Sequence, residues 1–152
     1  MNILGSHMSL DALHLKISSG MVVAARHWRR LCQGALTGYG ISEACAVPLL
    51  MIVRLGDGVH QVAVAQAAGL ESPSLVRLLD QLCKAGLVCR SEDPLDRRAK
   101  ALSLTAEGRV LAESIEGELV RLRREVLGGI DQADLDATLR VIQAFEAAGV
   151  MP

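Results

Sequence analysis

From about Ser9 to Leu36 apolar residues return at steps of three and four: Leu13, Ile17, Gly20/Met21, Ala24 and Trp28. That spacing lays them along one face of a helix. Gly34, Gly38 and Gly40 then break it. Ser42 predicts the cap of a second helix reaching about Leu55, with Glu43 in the first turn, where a carboxylate suits the helix dipole. Pro48 falls inside that helix. It removes a backbone hydrogen bond and crowds the carbonyl of Ala44, which predicts a kink or a late start. Gly56-Asp57-Gly58 reads as a turn, and Gln61 to Ala68 as a short Ala/Val-rich helix ended by Gly69.

Ser72-Pro73 opens the next element, with Ser72 as the predicted cap and Pro73 at the first helical position. Leu75, Leu78, Leu79 and Leu82 form its buried stripe, and Ser74, Arg77, Asp80, Gln81 and Lys84 its polar face. After Gly86 the pattern changes. Leu87 to Arg90 reads as a short strand, Ser91 to Ala99 as a polar turn with Pro94, and Lys100 to Leu104 as the returning strand. Thr105 can cap a long helix whose apolar face runs through Val110, Leu111, Ile115, Leu119, Leu122, Val126 and Leu127 to about Gly128. A last helix begins near Asp131 and carries Leu135, Leu139, Ile142 and Phe145. The chain shows no internal repeat and no low-complexity segment.

The length, 152 residues, suits one domain with its own core or with a core completed by a partner. At 51% hydrophobic and 22% charged residues, disorder is excluded. The longest apolar stretch, Ala44 to Val53, is too short for a membrane span, and no secretory leader is evident, so a cytoplasmic protein without a membrane partner is expected. Gly5-Ser6-His7-Met8 reads as the scar of a removed tag, leaving residues 1–7 as an expression remnant. Cys32, Cys45, Cys83 and Cys89 lie in no C-x-x-C pair and have no histidine at zinc-finger spacing, so no metal site is expected. Reduced thiols are the simplest reading. Trp28, Tyr39 and Phe145 are the aromatic residues, too few for the stacking platforms of single-strand binders.

The net charge is −1, but its distribution matters more. Residues 60–104 carry six basic and five acidic side chains, whereas residues 105–152 carry five and nine. A locally basic reading head can coexist with an acidic remainder. No nucleophile elbow, phosphate loop or isolated carboxylate pair occurs, so neither an enzyme nor a cofactor is expected. Two short helices joined by a tight turn and followed by a hairpin make a winged helix-turn-helix, a fold suited to duplex DNA. The start of the second helix would face base edges with Ser72, Ser74, Val76 and Arg77, and Gln81 continues that face. Arg97 and Arg98 occupy the hairpin tip, where a minor groove concentrates negative potential. Asp96 is placed to brace one of them by a bidentate pair. The bland alternative for the two arginines is a solvated turn. The alternative for Arg77 is a surface pair with Asp80 or Glu71, and for Arg90 the two readings, phosphate contact and anchoring of the wing, stand level.

The chain resembles the MarR/SlyA family of bacterial transcriptional regulators across roughly residues 41–127. The resemblance rests on Ser74-Leu75-Val76-Arg77-Leu78-Leu79-Asp80-Gln81-Leu82, on Gly86-Leu87-Val88-Cys89-Arg90 and on Asp93-Pro94-Leu95-Asp96-Arg97-Arg98. Leu102-Ser103-Leu104-Thr105-Ala106-Glu107-Gly108 closes the motif. Asp96, Arg98, Leu104, Thr105 and Gly108 match the family's Asp-x-Arg wing and Leu-Thr-x-x-Gly helix start.

The resemblance implies a mainly α fold with a small β-hairpin wing. It assigns residues 8–40 and 105–152 to dimerisation and residues 41–104 to the DNA-binding winged helix-turn-helix. It implies a homodimer on a pseudo-palindromic duplex operator, with Arg98 in the minor groove, Asp96 holding it and Arg77 on the DNA. It also implies a repressor released by a small aromatic or phenolic ligand, for which His27, Trp28, Tyr39 and Cys45 are the candidate contacts. Core packing for Trp28 and a surface position for His27 are the plainer readings. Pro48, Cys45, Ala46 and Val76 depart from the residues usual in the family. Two alternatives share the scaffold: a thiol-based redox sensor, and a protein-interaction module without DNA binding.

Overall fold

The computed structural model describes residues 8–149. Residues 1–7, read above as a tag remnant, lie outside the described residues. The elements in chain order are α1 (Leu10–Ala35), a 3-10 turn (Thr37–Tyr39), α2 (Glu43–Leu55), β1 (Val59–His60), α3 (Gln61–Ala68), α4 (Ser72–Lys84), β2 (Val88–Glu92), β3 (Lys100–Leu104), α5 (Ala106–Leu127) and α6 (Gln132–Gly149). The fold is therefore mainly helical with a small antiparallel sheet, as the sequence predicts. Contacts divide the chain into one compact unit ending at Glu116 and a second from Gly117, a boundary that falls within α5.

The cap predicted at Ser42 forms, and side chains also cap α1 and α6. Ser9 Oγ accepts the Ala12 N–H at 3.2 Å, and Ser42 Oγ accepts the Cys45 N–H at 3.2 Å. Asp131 Oδ1 accepts the Asp134 N–H at 2.9 Å. Side-chain oxygens here satisfy amides that no helical carbonyl can reach. Helix α2 begins at Glu43, so Pro48 does not delay it; the ring is buried within the helix instead. Helix α4 begins one residue earlier than the Ser-Pro signal: Glu71 is the cap, without a side-chain bond, and Ser72 is already helical. Its other end closes as predicted. Gly86 turns left-handed at φ 72°, and the Gly86 and Leu87 amides bond the Cys83 and Leu82 carbonyls at 3.0 Å. That pair of bonds is a Schellman stop, and the positive φ is why glycine stands there.

The core of the first unit gathers Leu49 and Ile52 from α2, Val64 from α3, Leu75, Leu79 and Leu82 from α4, Leu102 from β3 and Ile115 from α5. Full burial of each such side chain contributes about 2 kcal/mol. The stripe read on α4 is therefore the side that seats this helix, and its opposite face is left outward.

The sheet has the order β1-β3-β2. In the hairpin Val88 pairs with Leu104 and Glu92 with Lys100; Val59 and His60 add a third strand against Leu102 and Ala101. The hairpin was predicted, the two-residue third strand was not. The α1 stripe behaves differently from the others. Leu13 is exposed, and Ile17, Met21 and Trp28 are only half-buried, whereas Cys32 and Leu36 at its end are buried. In the second unit Leu139, Ile142 and Phe145 of α6 are likewise exposed.

Candidate nucleic-acid interface

Helix α4 presents Ser72, Ser74, Val76, Arg77 and Gln81 outward, all exposed. Pro73, Val76, Arg77, Asp80, Gln81 and Lys84 line a shallow groove along that face. The leucine stripe causes this arrangement: with positions 75, 78, 79 and 82 turned inward, positions 76, 77 and 81 must turn out. Asp80 pairs with Arg90 of β2 at 3.0 Å, so Arg90 anchors the wing strand to the helix. The Arg90 Nε and the Nη2 are buried with no hydrogen-bond partner among the described residues. Arg77 has no ion pair with Asp80 or Glu71 within 4.0 Å among the described residues.

The wing loop between β2 and β3 is held by four short-range bonds. The Asp93 N–H donates to the Ala99 carbonyl at 3.1 Å, and the Ala99 N–H to the Asp96 carbonyl at 2.9 Å. Asp93 Oδ1 accepts the Leu95 N–H at 2.7 Å, and Asp96 Oδ1 accepts the Arg98 N–H at 3.0 Å. Both carboxylates thus close Asx turns, in which a side chain replaces a backbone acceptor. This corrects the expected bidentate brace: Asp96 orders Arg98 through its main chain, not its guanidinium. Arg97 and Arg98 are exposed, and no described carboxylate lies within 4.0 Å of either guanidinium group.

His60 joins the wing from outside. Its Nε2 lies 2.5 Å from Asp93 Oδ2, linking the strand before α3 to the base of the loop. That hydrogen bond is the main cause holding the Asp93 carboxyl below its ordinary value, and the Leu95 amide adds to it. Asp57 does a similar task lower down. Its carboxylate accepts the Leu104 N–H at 3.0 Å and pairs with Arg109 of α5 at 2.5 Å. The Leu104 bond is the largest cause keeping the Asp57 carboxyl below its usual range; Arg109 acts in the same direction against slight burial. Neither His60 nor Asp57 had a signal in the pattern of apolar positions.

The Leu-Thr-x-x-Gly motif has a direct structural cause. Thr105 Oγ1 donates to the Gly86 carbonyl at 2.7 Å and accepts the Gly108 N–H at 2.9 Å. The Thr105 N–H bonds the Leu87 carbonyl at 3.1 Å. One threonine therefore caps α5 and ties it to the chain entering the wing. A Cβ on Gly108 would sit 2.0 Å from the Leu87 carbonyl oxygen, so only glycine permits this approach.

The four candidate effector contacts occupy unlike settings. His27 is exposed and lines a shallow depression with Arg30 and Leu31. Trp28 and Tyr39 are half-buried on α1 and on the 3-10 turn. Cys45 is buried, and its thiol donates to Gln81 Oε1 of α4 at 3.3 Å. Cysteine 45 thus touches the outward helix rather than lying open to solvent. Burial pushes the Cys83 thiol up, the reverse of what a thiolate sensor requires. Among the described residues no His/Cys/Asp/Glu group could hold a metal ion, and no helix is long and apolar enough to cross a membrane.

Comparison with known proteins agrees with this geometry. A family model for the ArnR1-like, winged-helix domain matches residues 43–121. Among solved structures, the chain is similar to the transcriptional regulator PA3341, with 35% identity and a TM-score of 0.79 over 87% of this chain and 96% of that one. It is also similar to CouR from Rhodococcus jostii RHA1 bound to p-coumaroyl-CoA, with 28% identity and a TM-score of 0.70 over 90% and 91% of the two chains. A MarR-family transcriptional regulator from Rhodococcus sp. RHA1 matches at 27% identity and a TM-score of 0.69, over 91% and 96%.

Proposed function

Because this chain belongs to the ArnR1-like winged-helix family and to the MarR regulators, we propose that it is a homodimeric repressor of transcription, released from its operator by a small aromatic or phenolic ligand. The coarser part, a DNA-binding transcription regulator rather than an enzyme, follows from that family. The finer part rests on particular features of this chain.

The observation that carries the DNA reading is the wing tip. Arg97 and Arg98 project from a loop fixed by four hydrogen bonds, and no described carboxylate pairs with either guanidinium group. Two unneutralised guanidinium groups on an ordered tip match the negative potential of a narrow groove. The polar face of α4, with Ser72, Ser74, Val76, Arg77 and Gln81, supplies the second point of contact for a major groove. Two heads are needed to read a pseudo-palindrome. The apolar residues left open on α1 and on α6 support a second copy as their cover. A phenolic effector is supported by CouR, whose bound molecule is p-coumaroyl-CoA. The cytoplasm is the expected compartment for a protein with this task.

The test is titration of the duplex upstream of the chain's own gene, followed by anisotropy, with wild-type protein and Arg98→Ala. Wild type should bind with a steep salt dependence, because phosphate contacts release counterions. Arg98→Ala should weaken binding at least about tenfold and leave the dimer intact. Equal affinity of the two proteins refutes the wing assignment. Adding p-coumarate or its thioester should release the DNA if the effector belongs to that class.

A further inference from the structure

The wing tip carries one residue that the DNA reading above does not use. Leu95 is 98% exposed, an extreme position for a large aliphatic side chain. Its amide is held by Asp93 Oδ1 at 2.7 Å, Pro94 precedes it with a fixed φ, and His60 grips the other oxygen of Asp93 at 2.5 Å. The loop beyond it is closed by Asp96 onto Arg98 and Ala99. The apolar group is thus presented on a stiff turn, three residues from Arg98. A flexible loop could fold such a side chain back; this one cannot without losing those bonds.

We propose that Leu95 is a specificity-determining wedge that enters the minor groove beside Arg98 and presses on the base stack. The proposal rests on the DNA reading given above. Its occupant is duplex DNA because the same short loop carries two unneutralised arginines, whose charge complements phosphate on either side of a groove. Aliphatic side chains inserted there partly unstack a base step. The step that yields most easily is pyrimidine–purine, TA or CA/TG. Leu95 would therefore add a preference for such a step under each wing, at a position where no hydrogen bond reads the base. The contact is apolar, so it should add affinity without adding to the salt dependence.

The full-length protein is used to enrich duplexes from a random-sequence pool long enough to seat two half-sites. Wild type, Leu95→Ala, Leu95→Met and Arg98→Ala are then compared on the enriched duplex. The same duplex is also made with 2-aminopurine at the step under the wing, a base whose fluorescence rises on unstacking. Wild type should enrich a pyrimidine–purine step and brighten the probe. Leu95→Ala should bind about tenfold more weakly, lose the preference at that step, keep the wild-type salt slope and leave the probe dark. Leu95→Met should retain most of the affinity and the brightening, because it keeps an apolar group of like volume. Arg98→Ala should lower the salt slope instead. If Leu95→Ala matches wild type in affinity and preference while Arg98→Ala is weak, the wedge is wrong and the DNA reading stands. If wild type enriches nothing, both fall together. A melting temperature for Leu95→Ala equal to wild type checks that the fold is untouched, as expected for so exposed a side chain.

Discussion

Single residues here act mostly through the backbone they hold. Gly108 is the clearest case: a methyl group there would meet the Leu87 carbonyl at 2.0 Å, with backbone on both sides of the clash. Gly108→Ala should therefore cost about 3 kcal/mol, measured as a shift in the urea midpoint. Asp57 gives a pH dependence whose sign is fixed by its bonds. Its folded carboxyl titrates below the ordinary carboxylate value, chiefly because the Leu104 amide donates to the charged form. A depressed acid stabilises the fold above its unfolded pKa and loses that contribution as pH falls through its folded one. Asp57→Ala should thus be less stable than wild type at neutral pH, and the gap should narrow below about pH 3.8. A gap that stays constant down to acid would mean that the carboxylate is not the cause. The wing arginines and Gly108 were legible from residue type and spacing. The acceptor roles of Asp57 and Asp96 were not, because a carboxylate in a turn looks the same in sequence whether it faces water, a guanidinium or an amide.

At the scale of elements, α4 and the wing depend on each other. The inner leucines of α4 seat it, and Asp80 on its rim takes Arg90 of β2. Leu79 is fully buried, and Leu79→Ala should cost about 3 kcal/mol by chemical denaturation. The helix would then lose its footing before it lost its polar residues. His60 is expected to hold the wing rather than to stabilise the whole chain, since its pair with Asp93 is exposed on the histidine side. His60→Ala should speed amide exchange at Leu95 with little change in melting temperature. Unaltered exchange would show that the Asx turn is sufficient by itself. Helix boundaries were read from caps and glycines with small errors, such as Ser72 standing inside α4 rather than before it. Strand β1 was missed because two residues offer no alternation to detect; it exists only because β3 provides a free edge beside it.

At the scale of the whole molecule, α1 and α6 each leave large apolar residues exposed. A second copy predicts that Phe145→Glu on α6 gives monomers by sedimentation and lowers operator affinity by more than about tenfold, because a single head keeps only half the contacts. A variant that remains dimeric would move the interface elsewhere. The same experiment separates assembly from reading, since Arg98→Ala is expected to remain dimeric and fail on DNA. The partial exposure of the α1 stripe is itself informative. Periodicity marks a face as apolar, but it cannot tell a face that its own chain covers from one that awaits another.

The pattern of residues along the chain determined the helices, the hairpin, the outward side of α4 and the cationic wing. Each of these follows from repeats or spacings within a few residues, where local geometry alone assigns sides. Tertiary structure decided the rest: the third strand, and the bonds of His60 to Asp93 and of Asp57 to Leu104 and Arg109. Those last three join residues 33, 47 and 52 positions apart. No local preference encodes such pairs; they form only when burial of the leucine core has already brought distant turns within hydrogen-bonding reach.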